Sequence, residues 1–263
     1  MKRVPVSTDD LIFPEELKAL VEGADICDSS CSRGARVLFI DRDGGYFLKI
    51  SKEGSLLAES AMTEYFHSLS LSAEVLFYGS RGGSDWLLTR RIPGEDCTDR
   101  RYLSDPGRLC DTSASLLRKL HATPAAGCPV KDRTAGYIRN VIAGFDGSHY
   151  EPDLFSGLWE FSSFEEAKRE AEAGLSQLKS DVLIHGDYCL PNIILDGWRF
   201  SGFIDIGNGG MGDRHIDVLW GIWTLKFNLG TAKYTDRFID AYGREMIDPC
   251  LLRRVAAMEM IGG

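Results

Sequence analysis

Carboxylate, amide and histidine side chains are concentrated in two short segments of the C-terminal half. The first is the string His185-Gly186-Asp187-Tyr188-Cys189-Leu190-Pro191-Asn192, and the second is Phe203-Ile204-Asp205-Ile206-Gly207. Their acidic and amide side chains lie at or near the ends of short apolar runs, which predicts loops at strand ends. An unpaired carboxylate beside buried strands is costly unless it binds a proton or a cation. The two segments therefore indicate a site for a cation and for chemistry.

Phosphoryl transfer uses residues of these types in this order. Mg²⁺ takes one or two protein oxygens and completes its shell with phosphate and water, and the reaction also needs a carboxylate that holds the attacking hydroxyl in line. Asp187 is the predicted catalytic base, and Asn192 and Asp205 are the predicted metal ligands. The alternative is a pair of ordinary turns in which Asp and Asn cap the backbone. The presence of both motifs, in order and at this spacing, disfavours it.

A second pair of charged residues is predicted in the N-terminal third. Side chains alternate along a strand, so Phe47 and Lys49 share one face of the predicted strand 46–50. On the helix that follows, Glu59 lies on the apolar stripe, because steps of three, three and four residues keep one helical face. A carboxylate on a buried stripe needs a partner, and Lys49 is the natural candidate. A purely structural salt bridge is the alternative.

Together these motifs resemble the catalytic and metal loops of the protein-kinase superfamily. The His-Gly-Asp form and the string Ser201-Gly202-Phe203-Ile204-Asp205 resemble the aminoglycoside phosphotransferase family, and most closely its 3′-phosphotransferases. The similarity runs from about residue 20 to the end and is strongest between residues 182 and 217. It implies an enzyme that transfers the γ-phosphate of ATP or GTP, with Mg²⁺, to a hydroxyl of a small molecule.

The resemblance assigns six residues to the nucleotide: Lys49, Glu59, Phe47, Ser32, Arg90 and Ile92. The lysine, paired with the glutamate, would contact the α and β phosphates, and the phenylalanine would stack on the adenine ring. The serine belongs to a phosphate-covering loop at 30–35 that lacks a glycine triplet. The arginine carbonyl and the isoleucine amide would face adenine from a hinge at 89–93.

Three further residues are predicted to support the catalytic loop. His185 precedes it, and Asp217 lies early in an apolar helix, where it would accept backbone hydrogen bonds and brace the Asp187 loop. His121 is predicted to be a satisfied core histidine that forms a hydrogen bond near the same loop.

The acceptor site departs from the family pattern at three places. Asn208 stands where the family's 3′-phosphotransferases carry an arginine after the metal-loop glycine, and Lys226-Phe227-Asn228 stands where their next helix offers acids. Their tail has two acids before a terminal aromatic, whereas residues 258–263 keep one acid and lack the aromatic. Glu259, Glu160 and the terminal carboxylate are the candidate partners for ammonium groups of a cationic acceptor. These departures predict a narrower acceptor range than that of the broad 3′-enzymes.

Three functions remain open at this point. An aminoglycoside kinase is favoured over a kinase for another small amino or hydroxyl metabolite, since specificity depends on site contacts rather than on the fold. The third is a nucleotide-binding pseudoenzyme. It is disfavoured because the five residues expected of an active kinase are all present: Lys49, Glu59, Asp187, Asn192 and Asp205.

The elements that must position these residues form two predicted parts. Residues 1–92, the nucleotide-binding lobe, are predicted to form strands at 36–40, 46–50, 73–78 and 86–89 around a helix at 55–69. Residues 93–263, the catalytic and acceptor-binding lobe, begin at Pro93-Gly94. They are predicted to be mostly helical, with a helix at 113–121 and short strands at 182–184, 193–195 and 200–204. The expected class is α+β, a two-lobed protein-kinase-like fold with a small β-rich N-lobe and a larger, mostly helical C-lobe.

Composition excludes several other classes of protein. The net charge of −9 argues against nucleic-acid binding, which needs basic patches. No apolar run reaches the roughly 18 residues that span a bilayer, and Met-Lys-Arg is followed by no apolar h-region. The seven cysteines are scattered and odd in number, which favours free thiols. We expect a cytoplasmic monomer or weak dimer whose partner is a small, cationic acceptor, without nucleic acid or membrane.

Overall fold

The computed structural model describes residues 3–8, 10–31 and 34–263, and these residues form two compact units. The first contains the chain up to Asp96 together with Ile194–Gly207, and the second contains Cys97–Ile193 and Asn208–Gly263. The sequence prediction divided the chain at residues 92 and 93 and so assigned 194–207 to the second lobe. That segment groups with the first unit because its residues 194 and 195 pair with residues 96 and 95.

A six-stranded antiparallel sheet dominates the first unit, with the strand order β1-β2-β3-β4-β6-β5. Its strands are β1 (Val4–Pro5), β2 (Asp25–Asp28), β3 (Arg36–Asp41), β4 (Tyr46–Lys52), β5 (Val75–Arg81) and β6 (Ser84–Arg90). The predicted hairpins are confirmed with slightly longer strands. The second hairpin turns at Gly82 and Gly83, whose φ angles of 62° and 78° are ones that glycine adopts without strain.

Two helices accompany this sheet, α1 (Glu15–Val21) and α2 (Leu57–Ser68). Strand β4 alternates as predicted: Tyr46, Leu48 and Ile50 are buried, while Phe47 and Lys49 are half-buried. The buried set packs in one apolar core with residues of β3, β6 and α1: Leu17, Leu38, Ile40, Trp86 and Leu88. The sheet thereby fixes the direction of Lys49, because its neighbours on both sides are held in the core.

A second, three-stranded sheet has the order β10-β9-β7. It comprises β7 (Glu95–Asp96), β9 (Ile193–Asp196) and β10 (Arg199–Phe203), with β9 and β10 joined through Gly197 and Trp198 at φ angles of 55° and 71°. Helix α2 packs against this segment through Phe66 and Phe203, whose ring centroids are 6.4 Å apart. The contact positions the loop that carries Asp205, which begins directly after β10.

The second unit is mostly helical. Its helices are α3 (Arg100–Leu103), α4 (Pro106–His121), α5 (Arg133–Ala143), α6 (Phe164–Gly174), α7 (Arg214–Leu229), α8 (Thr235–Tyr242) and α9 (Pro249–Ile261). Strands β8 (Val182–Ile184) and β11 (Gly210–Gly212) form an antiparallel pair within it. Asp side chains cap the N-termini of α4, α5, α7 and α9: Asp105, Asp132, Asp213 and Asp248. None of the described helices is long and apolar enough to cross a membrane. All seven cysteines, each of them described, are free.

Candidate active site

The loop that carries Asp187 leaves β8 and is fixed at its start by Asp217. The Oδ2 atom of Asp217 accepts a hydrogen bond from the His185 amide at 2.7 Å, and its Oδ1 atom accepts one from the Gly186 amide at 2.8 Å. Asp217 lies in the first turn of α7 and is fully buried. A buried carboxylate that accepts several hydrogen bonds is firmly held, so the predicted bracing contact is confirmed.

Asp217 is itself held by a buried histidine. His121 Nε2 lies 3.1 Å from Asp217 Oδ2, and His121 Nδ1 lies 2.8 Å from the Tyr242 hydroxyl. The side chains of His121 and Asp217 have no exposed surface. His121 is thus the satisfied core histidine that the sequence predicted, and it contacts Asp217, which holds the catalytic loop.

Gly186 is required by the path of the backbone. Its φ angle is 80°, and a Cβ atom at this position would lie 2.0 Å from the carbonyl oxygen of Asn208. Both features exclude a side chain, because L-residues avoid positive φ and because no atom fits at that distance. The glycine of the His-Gly-Asp motif therefore allows the loop to pass directly against residue 208.

The far end of the loop is anchored to two helices. The buried Tyr188 hydroxyl donates to the Ser113 carbonyl of α4 at 2.7 Å, and the Leu190 amide donates to Thr224 Oγ1 of α7 at 3.1 Å. Burial, and the nearby Asp187 carboxylate, raise the pKa of the Cys189 thiol far above its usual value. That thiol is therefore inert, and the loop offers Asp187 as its reactive group.

Asn192 contacts Asp187 directly. Its Nδ2 atom donates to Asp187 Oδ2 at 2.9 Å and to the Asp187 carbonyl at 3.0 Å. The sequence analysis assigned Asn192 only to the metal and missed this contact. The amide group is held by its nitrogen, which leaves its Oδ1 atom as the group suited to a hard cation such as Mg²⁺. Asn192 can therefore orient the base and bind a metal with different atoms.

Lys49, Glu59 and Asp205 meet in the first unit. Lys49 Nζ donates to both carboxylate oxygens of Glu59, at 2.9 and 2.8 Å, and to Asp205 Oδ1 at 2.7 Å. The predicted pair of Lys49 and Glu59 is present. Burial alone would lower the pKa of Lys49, but the Asp205 and Glu59 carboxylates more than offset it and raise that pKa. The lysine is therefore a fixed cation at the metal-loop aspartate.

Asp205 adopts a backbone conformation that non-glycine residues rarely adopt, with a φ angle of 60°. Half of its side-chain surface is exposed, and Lys49 is the partner of its Oδ1 atom. Strained residues of this kind occur at functional sites, where the surrounding structure holds them in place. The described residues contain no group of three or more His, Cys, Asp or Glu side chains that could hold a metal by themselves. The half-exposed carboxylate of Asp205 fits a Mg²⁺ ion that takes most of its other ligands from phosphate and water.

The remaining nucleotide residues lie in the first unit, except that Ser32 lies outside the described residues. Phe47 is half-buried, with its ring centroid 5.2 Å from that of Phe39. The Arg90 guanidinium pairs with Glu74 at 3.1 Å, and the contact predicted with adenine is through the Arg90 carbonyl, not this side chain. Ile92 packs closely against Gly202: a Cβ atom added to Gly202 would lie 2.7 Å from the Cδ1 atom of Ile92.

A cavity of about 340 Å³ opens beside Asp187 in the second unit. Glu259 and Gly263 line it, as the sequence predicted for an acceptor site, whereas Glu160 does not: it is exposed, and its carbonyl accepts a hydrogen bond from Arg253. Helix α5 contributes residues that the sequence analysis missed: Arg133, Tyr137, Arg139 and Asn140. The Asp132 cap could have located the start of this helix, but no sequence signal shows which helix faces Asp187.

Glu259 is the acidic side chain of the cavity apart from Asp187. Burial raises its pKa to about 7, an effect that the Trp220 and Tyr137 side chains oppose and that the Asp187 charge reinforces. The residues that replace the family's acids on α7 do not line the cavity. Phe227 is 68% exposed and stacks on Trp223, and Asn228 bonds back to Thr224 of its own helix.

Several known phosphotransferases are similar to this chain in sequence and in fold. The profile of the phosphotransferase enzyme family matches residues 32–253. The chain is 44% identical over 250 residues to a probable aminoglycoside 3'-phosphotransferase of Lactococcus lactis subsp. lactis, and the match covers 95% of each protein. The structure of aminoglycoside phosphotransferase APH(3'')-Id from Streptomyces rimosus matches with a TM-score of 0.74 at 22% identity, over 94% of this chain and 96% of that one. A structure of the same enzyme in complex with ADP and streptomycin matches with a TM-score of 0.70 at 21% identity, over 86% and 90%.

These matches confirm the predicted α+β class and protein-kinase-like fold. They also agree with the motifs at Asp187 and Asp205, which lie within the matched range. This chain therefore belongs to the phosphotransferase enzyme family of the aminoglycoside phosphotransferases.

Proposed function

We propose that this chain is an aminoglycoside O-phosphotransferase that transfers the γ-phosphate of ATP to a hydroxyl group of its acceptor. One observation carries the proposal: Asp187, oriented by Asn192, opens into a cavity that also presents the Glu259 carboxylate. A base beside a second carboxylate in the same cavity suits an acceptor that carries both hydroxyl and ammonium groups. The 44% identity to a probable aminoglycoside 3'-phosphotransferase supports the same acceptor class.

Each residue of the site has a defined part in the proposed reaction. Asp187 holds the acceptor hydroxyl and takes its proton as the oxygen forms a bond to the γ-phosphorus. The bond between that phosphorus and the bridging oxygen breaks, and ADP leaves with the electron pair. Lys49, fixed by Glu59, binds the α and β phosphates. Asp205 and Asn192 would hold Mg²⁺, which would supply positive charge to offset that of the phosphates.

Two variants of one residue type test the role of Asp187. Asp187→Asn should lower kcat by roughly 10²- to 10⁴-fold, because it removes the base but keeps the shape and the bond to Asn192. Asp181→Asn, at an exposed position before β8, is the matched control and should keep the wild-type rate. Turnover is measured as ADP release with kanamycin or streptomycin. Retention of more than about a tenth of kcat by Asp187→Asn would contradict the assigned role.

A second candidate acceptor is a less cationic amino or hydroxyl metabolite. The observation that favours it is the pair of arginines on α5, Arg133 and Arg139, which line the cavity together with Glu259. Clear turnover of a neutral or mono-cationic alcohol, with none of any aminoglycoside, would assign the enzyme to this second class. The same ADP-release assay across both compound sets decides between them.

A further inference from the structure

Arg133 is linked to the catalytic loop through one intervening residue, Asn208. It begins α5, directly after the capping residue Asp132, and its Nη2 atom donates a hydrogen bond to Asn208 Oδ1. The carbonyl of Asn208 in turn lies against Gly186, the residue before Asp187. Arg133 and Asp187 line the same cavity. A fixed guanidinium group is therefore held beside the place where the acceptor hydroxyl must bind.

This guanidinium group has no anionic partner in the part of the chain that the structure describes. Other arginines of the second unit form ion pairs, such as Arg237 with Asp111 and Arg253 with Glu166. Arg133 instead bonds to a neutral amide and is half-buried, and burial lowers its pKa without an opposing carboxylate. A partly desolvated cation with spare N–H donors calls for oxygen atoms of a ligand.

The cavity presents charges of both signs. Arg133 bonds to Asn208, and Glu259 lies beside Trp220 and Tyr137. An ammonium group placed next to Arg133 would meet a like charge that water screens only in part. A hydroxyl or ether oxygen at the same place would accept hydrogen bonds from the guanidinium group. The two charged side chains therefore favour different chemical groups of one acceptor.

We propose that Arg133, positioned by Asn208, determines acceptor specificity: it selects acceptors with a hydroxyl or ether oxygen, rather than an amine, next to the phosphorylated hydroxyl. Ammonium groups of the same acceptor then face Glu259. This inference rests on the proposed function and narrows it to aminoglycosides whose reactive ring is rich in oxygen at that edge.

The test compares two acceptors that differ in one group. Kanamycin A carries a hydroxyl at the ring position next to the 3′-hydroxyl, and kanamycin B carries an amine there. We expect wild-type enzyme to favour kanamycin A in kcat/KM by roughly tenfold, the effect of one like-charge contact in a partly screened site. In Arg133→Ala the ratio should fall to within about twofold, mainly because KM for kanamycin B decreases.

Three further variants separate charge from structure. Arg133→Lys keeps the cation and should keep most of the preference, whereas Arg133→Gln keeps hydrogen bonding without charge and should lose it. The double variant Arg133→Ala with Asn208→Arg returns a cation to the same point and should restore the preference. Arg169→Ala, an exposed arginine on α6, is the control for loss of a positive charge elsewhere.

The outcomes distinguish this inference from the proposed function. Turnover of both kanamycins with the same ratio in wild type, Arg133→Ala and Arg133→Gln would overturn the role of Arg133 alone. A wild-type preference for kanamycin B would do the same. The absence of turnover with any aminoglycoside would remove the proposed function, and this inference with it. Thermal melting of each variant identifies those that fail to fold, and Arg133→Gln supplies the comparison with wild type if Arg133→Ala does not fold.

Discussion

Glu259 is expected to make acceptor binding depend on pH near neutrality. Its carboxyl has a pKa of about 7, raised by burial and by the charge of Asp187. Only the ionised form attracts an ammonium group of the acceptor. With this pKa, the ionised fraction rises from about a tenth near pH 6 to about nine-tenths near pH 8. The KM for a cationic acceptor should therefore fall by up to about tenfold across this interval.

The perturbation is Glu259→Gln, which keeps the shape and removes the charge. Near pH 8 it should raise KM for the acceptor by roughly ten- to a hundredfold, the effect of one charge-assisted hydrogen bond, with little change in KM for ATP. Near pH 6 this difference in KM should be about tenfold smaller, because Glu259 is then mostly protonated in wild type. The ratio of the two KM values at each pH cancels the titration of the acceptor's own amines.

The pH dependence of protein stability tests the pKa of Glu259 independently of acceptor binding. The pKa of Glu259 is raised on folding, from the usual 4.5 to about 7, so the folded state holds the proton more tightly than the unfolded state. The protein should therefore lose stability as pH rises from about 4.5 to about 7, by at most about 3.5 kcal/mol at about 1.4 kcal/mol per pKa unit. Glu259→Gln should raise the melting temperature near pH 8 and leave it unchanged near pH 4.

The reasoning would be refuted by a KM ratio of Glu259→Gln to wild type that stays constant between about pH 6 and pH 8. Such a result would mean that the carboxyl is already ionised at the lower pH, or that the acceptor does not contact it. The melting experiment separates these two causes. If wild type and Glu259→Gln show the same pH dependence of stability, the pKa of Glu259 is normal. If their pH dependence differs, the pKa of Glu259 is raised, and the acceptor binds elsewhere in the cavity.

Three other parts of the site give predictions of their own. Asp205→Ala should abolish Mg²⁺-dependent ATP binding in calorimetry. Asn192→Ala should raise the Mg²⁺ requirement and also lower kcat, because Asn192 holds Asp187 as well. An effect of Asn192→Ala on the Mg²⁺ requirement alone would contradict this orienting role. Gly186→Ala should cost about 2–4 kcal/mol in denaturant unfolding, from positive φ and overpacking. Its control Gly230→Ala has a similar φ of 66° and free space, and should cost only about 1–2 kcal/mol. Lys49→Ala should raise KM for ATP and leave KM for the acceptor unchanged. An equal change in both constants would contradict the role of Lys49 in phosphate binding.

The sequence by itself predicted the local geometry of Lys49 and Glu59, two of the residues proposed to bind the nucleotide. Alternation along β4 places Lys49 opposite the core, and helical spacing places Glu59 on the buried face of α2, so their pairing follows from two periodicities. The apolar runs around Asp187 and Asp205 likewise predicted strand-end loops. These inferences succeed because each depends on spacing within one element and on the cost of burying an unpaired charge.

Only the tertiary structure decided which distant residues meet. Asp205 contacts Lys49 across 156 positions of sequence, and Arg133 contacts Asn208 across 75. The packing of Val130 against Gly210 and Met211 brings α5 to the catalytic loop, and nothing in the local pattern of either segment encodes that partner. The pKa of Glu259 depends in the same way on burial by side chains from other helices. Periodicity specifies which face of an element is buried, but the neighbour that covers it, and hence the charge of the acceptor cavity, depends on how the whole chain packs.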